Sequence, residues 1–195
     1  HIRCKDEERS RPFSWGDIVR FFPVVFLEME MPTPIATIAV DIIAGTATDG
    51  DAVLVNELKQ RLSAAGLSDA VTWSPNIDHD EKTALLESFC LFSVPATYPE
   101  AFGLYTIEAL AAGTPLVMPG SSSFPEIVRQ SDAGRLSKPQ DPVSLAETWH
   151  DLLNAPDELQ RLSENARRAA EDFYSVEAMR ERFLTLAKPL TESSS

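Results

Sequence analysis

Two glutamates flank a glycine in the stretch Val94-Pro-Ala-Thr-Tyr-Pro-Glu100-Ala-Phe102-Gly103-Leu104-Tyr105-Thr-Ile-Glu108-Ala-Leu-Ala-Ala-Gly113-Thr-Pro115. The pattern predicts a strand ending at Val94-Pro95, a loop carrying Glu100, and a helix beginning near Gly103. A glycine in that first turn lets a ligand approach the backbone closely. The N–H groups of Phe102, Gly103, Leu104 and Tyr105 would then face outward at the positive end of the helix dipole. Such a helix start binds an anion, most naturally a diphosphate, without any basic side chain. A carboxylate beside a phosphate would repel it, so Glu100 and Glu108 need other partners. Vicinal hydroxyls, which donate protons to acids, fit that need. A diphosphate flanked by hydroxyl-bearing rings describes a nucleoside-diphosphate sugar. The bland alternative stays open on these residues alone. Both acids could be solvated side chains, with Leu104, Ile107, Leu110 and Ala111 at core spacing whatever the helix binds.

Other chemistries fit less well. Gly45-Thr-Ala-Thr-Asp-Gly50 has the glycine spacing of a phosphate-binding loop, but Asp51 and Ala52 follow where Lys and Ser/Thr are needed. It reads as a strand-to-helix turn. Cys4 and Cys90 give no disulfide framework, and His1, His79 and His150 give no metal-spaced cluster. No metal or other cofactor is expected. Thirty acidic residues against seventeen Lys and Arg leave a net charge of −13, which argues against a nucleic-acid partner. The apolar run Phe21 to Met31 is broken by Pro23, Glu28 and Glu30, too short and too charged for a transmembrane segment. With no secretory leader in view, the expected setting is the cytoplasm.

The elements that must hold the glutamates follow from residue 33 onward. With 195 residues and 44% hydrophobic content, the chain has room for one domain. Residues 1–32 lack sustained periodicity and are expected to form an irregular arm, with Asp17 to Phe22 as a possible helical turn. Strands are predicted at Ile35 to Ile43, Val71-Thr-Trp, Cys90 to Val94, Pro115 to Met118 and near Gly134-Arg-Leu. Helices are predicted after Asp49-Gly-Asp, after an Asp78/Glu81 capping box, over Leu104 to Ala112, from Phe124, and after Asp141-Pro142. Two more run from Pro156 to Phe173 and onward from Ser175. The domain thus covers 33–188, with a disordered tail over 189–195. Strand–helix alternation implies an α/β fold: a Rossmann-like, doubly wound parallel sheet of about six strands, with C-terminal helices.

The segment from Glu100 to Pro115 resembles the signature of the retaining glycosyltransferases of family 4, or group 1. Two glutamates there are separated by seven residues, with Phe-Gly between them and a Glu-Ala-Leu-Ala-x-Gly-x-Pro continuation. Similarity extends to Ile43-Ala-Gly45, Ser74-Pro-Asn76, Lys82 to Leu86, Phe124 to Val128, Gly134-Arg-Leu and Phe173-Tyr-Ser175, about residues 35–187. The resemblance implies the C-terminal, donor-binding half of the two-domain GT-B fold. It implies sugar transfer from a nucleoside-diphosphate sugar with retention of configuration. Glu100 matches the catalytic-site glutamate that lies against the donor sugar, and Glu108 the one holding ribose hydroxyls. The amides of Phe102, Gly103, Leu104 and Tyr105 match the diphosphate cradle, and Pro75-Asn76-Ile77 the loop near the nucleobase.

The departures also have consequences. The family's Arg-then-Lys pair has no recognisable counterpart, because Arg3, Lys5, Arg9 and Arg11 fall in the anomalous arm. An acceptor-binding domain, and the histidine usual in it, are not matched. The chain alone is therefore expected to be inactive. A nucleotide sugar is the expected partner, with a separate acceptor domain or self-association as further possibilities. The alternative function is a truncated, non-catalytic nucleotide-sugar-binding module or one half of a split enzyme. A sugar-nucleotide epimerase would need a different acid–base set.

Overall fold

The computed structural model describes residues 20–21, 40–42, 52–97 and 99–192. Six parallel strands form one sheet: β1 (Arg20–Phe21), β2 (Val40–Ile42), β3 (Val71–Trp73), β4 (Phe92–Ser93), β5 (Leu116–Pro119) and β6 (Gly134–Ser137). Their order is β3-β2-β1-β4-β5-β6. This is the doubly wound arrangement, in which the winding direction reverses between β1 and β4 and ligands bind beyond the strands' carboxyl ends. Phe92 pairs with Leu116, and Leu116 in turn with Gly134.

The described residues also form seven α-helices: α1 (Ala52–Ala64), α2 (His79–Glu87), α3 (Leu104–Ala111), α4 (Phe124–Ser131), α5 (Pro142–Leu153), α6 (Pro156–Ala169) and α7 (Val176–Glu192). A π-helical turn at Ala170–Tyr174 joins α6 to α7. The sheet is covered on both faces, as a parallel sheet requires. Phe92, Leu116 and Met118 pack with Leu86 and Phe89, with Ala109 and Leu110 of α3, and with Phe124, Ile127 and Val128 of α4. Leu91 and Val117, one residue out of phase, pack with Leu145, Trp149, Leu152 and Leu153 of α5 and Leu159 and Leu162 of α6. The alternation of side chains along a strand sorts these residues to opposite faces.

Local signals start and stop the helices as their residues demand. The capping box of α2 is complete: Glu81 N–H donates to Asp78 Oδ1 at 2.8 Å, and Asp78 N–H donates to Glu81 Oε2 at 3.1 Å. Asp141 Oδ1 accepts from Ser144 N–H at 2.9 Å, with Pro142 in the first turn of α5. Both α1 and α3 end in a Schellman motif. Leu67 N–H donates to Leu62 O, and Thr114 N–H to Ala109 O. Ser163 and Arg167 of α6 then donate to the carbonyls of Gly113 and Ala112 just past α3, tying that helix's end in place.

Two boundaries differ from expectation. Within the expected arm, Arg20 and Phe21 are described, and they form β1 in the sheet rather than irregular chain or a helical turn. A short apolar run carries no periodicity that separates a strand from a helical turn, so long-range pairing decides. The other residues of 1–32 lie outside the described set, as does the Gly45–Gly50 turn. At the other end, α7 continues through Pro189 to Glu192 where a tail from 189 was expected. Proline removes one amide donor but its fixed φ is helical. No described helix is long and apolar enough to cross a membrane.

Candidate functional site

The loop leaving the carboxyl end of β4 carries Glu100, beside the point where the sheet's winding reverses. Its last residue before α3 is Gly103, the N-cap, with φ 74° and ψ 64°. That left-handed conformation turns the chain from the loop into the helix and suits glycine. Thr106 N–H donates to Gly103 O at 2.8 Å. Among the described residues, no acceptor takes the amide protons of Gly103 and Leu104. These are two of the orphan donors at the positive end of α3.

Glu100 is held from three sides. Tyr105 Oη donates to Glu100 Oε2 at 3.1 Å. Phe102 N–H donates to Glu100 Oε1 at 3.4 Å. Glu100 N–H donates to Ser122 Oγ at 3.2 Å. Ser122 sits in the loop after β5 with φ 57°, and its neighbour Ser123 donates from Oγ to Phe102 O at 3.1 Å. Two loops from adjacent strands are thus clamped together around the glutamate. Phe102 and Leu104 flank Gly103 with 48% and 69% of their surfaces exposed, leaving apolar area beside the free amides.

Phe102 corrects part of the expectation: its amide donates to the Glu100 carboxylate rather than facing outward. Residues two apart in a tight loop bring a side-chain acceptor within reach of that amide. Thr106 adds a detail inside the helix. Its Oγ1 is buried without a partner among the described residues, on the side of Gly103 where a Cβ would point.

Glu108 lies elsewhere on α3, four residues past its start, or about 6 Å along the axis. Its Oε1 accepts from Lys82 Nζ at 2.6 Å, and the two side chains are about one-third exposed, at 38% and 34%. Lys82 belongs to the first turns of α2, so the pair bridges α2 and α3. Spacing does not reveal this lysine, because 26 residues separate it from Glu108. Its helix start does carry a signal, the Asp78/Glu81 box that fixes where α2 begins. Asn76 and Ile77 occupy the loop between β3 and α2. Asn76 is left-handed at φ 57°, and Ile77 is half-buried against the α2–α3–α4 face of the core. The structure therefore gathers Glu100, Phe102, Gly103, Tyr105 and Ser122 into one cluster, and gives Glu108 a partner from α2.

Comparison with known proteins agrees with this architecture. The profile of the family described as "Glycosyl transferases group 1" matches residues 38–169. A D-inositol 3-phosphate glycosyltransferase of Streptomyces coelicolor is 31% identical over 166 residues, covering 85% of this chain and 35% of that protein. Sucrose-phosphate synthase from Thermosynechococcus elongatus superposes with a TM-score of 0.67 at 26% identity, covering 80% of this chain and 39% of its own. The Anabaena protein HepE, crystallised in complex with UDP and glucose, superposes with a TM-score of 0.72 over 91% of this chain and 48% of its own. At 21% identity that likeness speaks for the fold. The chain spans about a third of the curated relative's length. A Rossmann-like half of the GT-B fold, together with the profile match, settles the family: the chain belongs to the group 1 glycosyl transferases.

Proposed function

We propose that this chain is the donor-binding domain of a glycosyltransferase that takes a sugar from a nucleoside-diphosphate sugar and transfers it with retention of configuration. The observation that carries the reading is the pairing of an oriented Glu100 carboxylate with the Gly103 and Leu104 amides at the start of α3, which meet no acceptor among the described residues. The amides and the helix dipole receive the diphosphate and stabilise its charge as it departs. The leaving group's charge thus rests on backbone dipoles, and no metal has a part in this reading. Glu100 accepts from hydroxyls of the donor sugar, and the acceptor attacks the face from which the diphosphate leaves. Glu108 keeps Oε2 for a ribose hydroxyl while Lys82 holds Oε1. The Asn76–Ile77 loop lies toward the nucleobase. HepE's complex with UDP and glucose supports this class of donor.

Transfer also needs an acceptor site, which we assign to a further domain, since this chain covers only 35% of the curated relative's length. On the described surface, Val176, Met179, Phe183 and Leu186 of α7 suit such a contact. They recur at helical spacing along one stripe and are 63–75% exposed. The same length relation supports a second reading, a half-enzyme or binding module that holds the donor but does not turn it over alone. We place the reaction in the reducing cytoplasm, which a chain with two cysteines suits.

Calorimetry tests the donor site directly, with UDP, GDP and ADP and the matching hexose conjugates. Glu108→Gln should weaken nucleotide and nucleotide sugar alike by roughly tenfold to a hundredfold, the worth of one charge-assisted hydrogen bond. Glu100→Gln should weaken only the sugar conjugates. No binding of any of these ligands at millimolar concentration would refute the donor-site reading.

A further inference from the structure

The reading of Glu100 as a sugar contact raises the question of what holds its carboxylate before the sugar arrives. The answer lies in the same helix turn. Tyr105 is the second residue of α3, and its ring is wedged between two others, with centroids 6.2 Å from Phe92 and 6.4 Å from Phe124. Phe92 and Phe124 are buried core residues, 3% and 0% exposed, so the ring has little freedom. Tilted pairs at these separations fall within the favourable range for aromatic rings. The phenol therefore arrives at Glu100 Oε2 as a fixed donor. Among the described residues, Oε1 has only the longer contact to the Phe102 amide, at 3.4 Å.

We propose that Tyr105 is a positioning residue for Glu100, its phenol anchoring Oε2 so that Oε1 is presented to the donor sugar. The proposal rests on the donor-site reading given above and deepens it. An anchored carboxylate loses less rotational freedom on binding than a mobile one, so the anchor raises affinity for the sugar without touching it. Tyr105 also orders the loop through the core rather than through solvent. A neighbouring strand, a helix and the loop after β4 thereby fix one oxygen atom.

The test uses Tyr105→Phe, Glu100→Gln and the double variant of the full chain. Each is titrated with the nucleoside diphosphate and its hexose conjugate, using whichever of the UDP, GDP and ADP pairs the wild type binds most tightly. Phenylalanine keeps the ring packing and removes only the phenol oxygen. Tyr105→Phe should weaken the sugar conjugate about fivefold, the order of one lost hydrogen bond, and the bare nucleotide less than about twofold. In the double variant the two losses should not multiply, because the phenol then orients an amide that no longer offers the sugar a charged acceptor. Unchanged affinity for the conjugate in Tyr105→Phe would overturn the proposal, and so would full multiplication of the two losses. If the wild type binds neither ligand, the donor-site reading fails and this proposal with it. If it binds both while Tyr105→Phe is silent, the proposal alone fails.

Discussion

Replacing Gly103 by alanine probes the geometry on which the whole site depends. Two costs separate cleanly here. The first is conformational: at φ 74° an L-residue is strained by about 1–2 kcal/mol, partly offset by the lower entropy of the unfolded chain. The second is steric. The new methyl would lie 3.0 Å from Thr106 Oγ1, 3.3 Å from Phe124 Cε1 and 3.4 Å from Glu100 Cγ. Phe124 is fully buried and Thr106 is fixed within α3, so neither yields easily. Overpacking of that kind costs about 1–3 kcal/mol more.

Gly66 supplies the control. It has φ 70° at the end of α1, and nothing lies within 4 Å of where its Cβ would stand. Gly66→Ala should therefore lose about 1 kcal/mol, and Gly103→Ala roughly 2–4 kcal/mol. Urea unfolding of both variants measures the difference, with similar m-values expected. Because the methyl presses on the stem of Glu100, Gly103→Ala should also weaken binding of a nucleotide sugar, whereas Gly66→Ala should not. Equal destabilisation by the two substitutions would refute the packing argument, since strain alone is common to both.

Two other outcomes follow from one buried and one half-buried polar group. Thr106→Val removes a buried hydroxyl that has no partner among the described residues, so stability should hold or rise by up to about 1 kcal/mol in urea unfolding. Tyr174 donates to Gln130 Oε1 at 3.2 Å, and its phenol titrates above the ordinary 10.0, chiefly through burial and also through the charge of Glu126, against a smaller opposing pull from Arg182. Above that ordinary value the unfolded chain gives up the proton while the folded chain keeps it. The stabilisation is complete below pH 10.0 and is lost as pH rises through the folded value. Wild type should therefore lose more stability than Tyr174→Phe between about pH 9 and about pH 11, measured by urea midpoints at each.

The order of strands and helices from Val71 to Ser175 was legible because each element carries its own punctuation. Asp78 with Glu81 opens α2, Asp141 with Pro142 opens α5, and Gly66 closes α1, all through bonds between residues close in sequence. Strand β5 was legible for another reason. Four consecutive buried residues bounded by Thr114-Pro115 and Gly120 fit a strand covered on both faces. Arg20–Phe21 had neither signal. Two residues are too few to show a period, and what makes them a strand is pairing with Ile42 on one side and Phe92 and Ser93 on the other. Pro189 misled in the opposite sense, since a residue that usually ends helices stands inside α7.

The site divides along the same line. Gly103 and the helix behind it could be read from one short segment, because an N-terminus needs only local residues to expose its amides. The partners of the glutamates could not. Lys82 reaches Glu108 across 26 positions, and Ser122 reaches the Glu100 amide across 22. Tyr105 lies within the segment, where its sequence position speaks only for its backbone amide. Its side chain matters only because Phe92 and Phe124, from a strand and another helix, direct the ring toward Glu100. Acids eight apart in one short segment look alike, but the fold gives them unlike neighbours. Glu100 receives neutral donors that leave its charge to act on a ligand, whereas Glu108 faces a cation that already balances it. A ligand hydroxyl at Glu108 must therefore share the carboxylate with Lys82, and one at Glu100 meets a carboxylate that is oriented but not neutralised. This asymmetry is why the two glutamates should respond differently to the same substitution, and why their equal standing in the sequence does not predict equal roles.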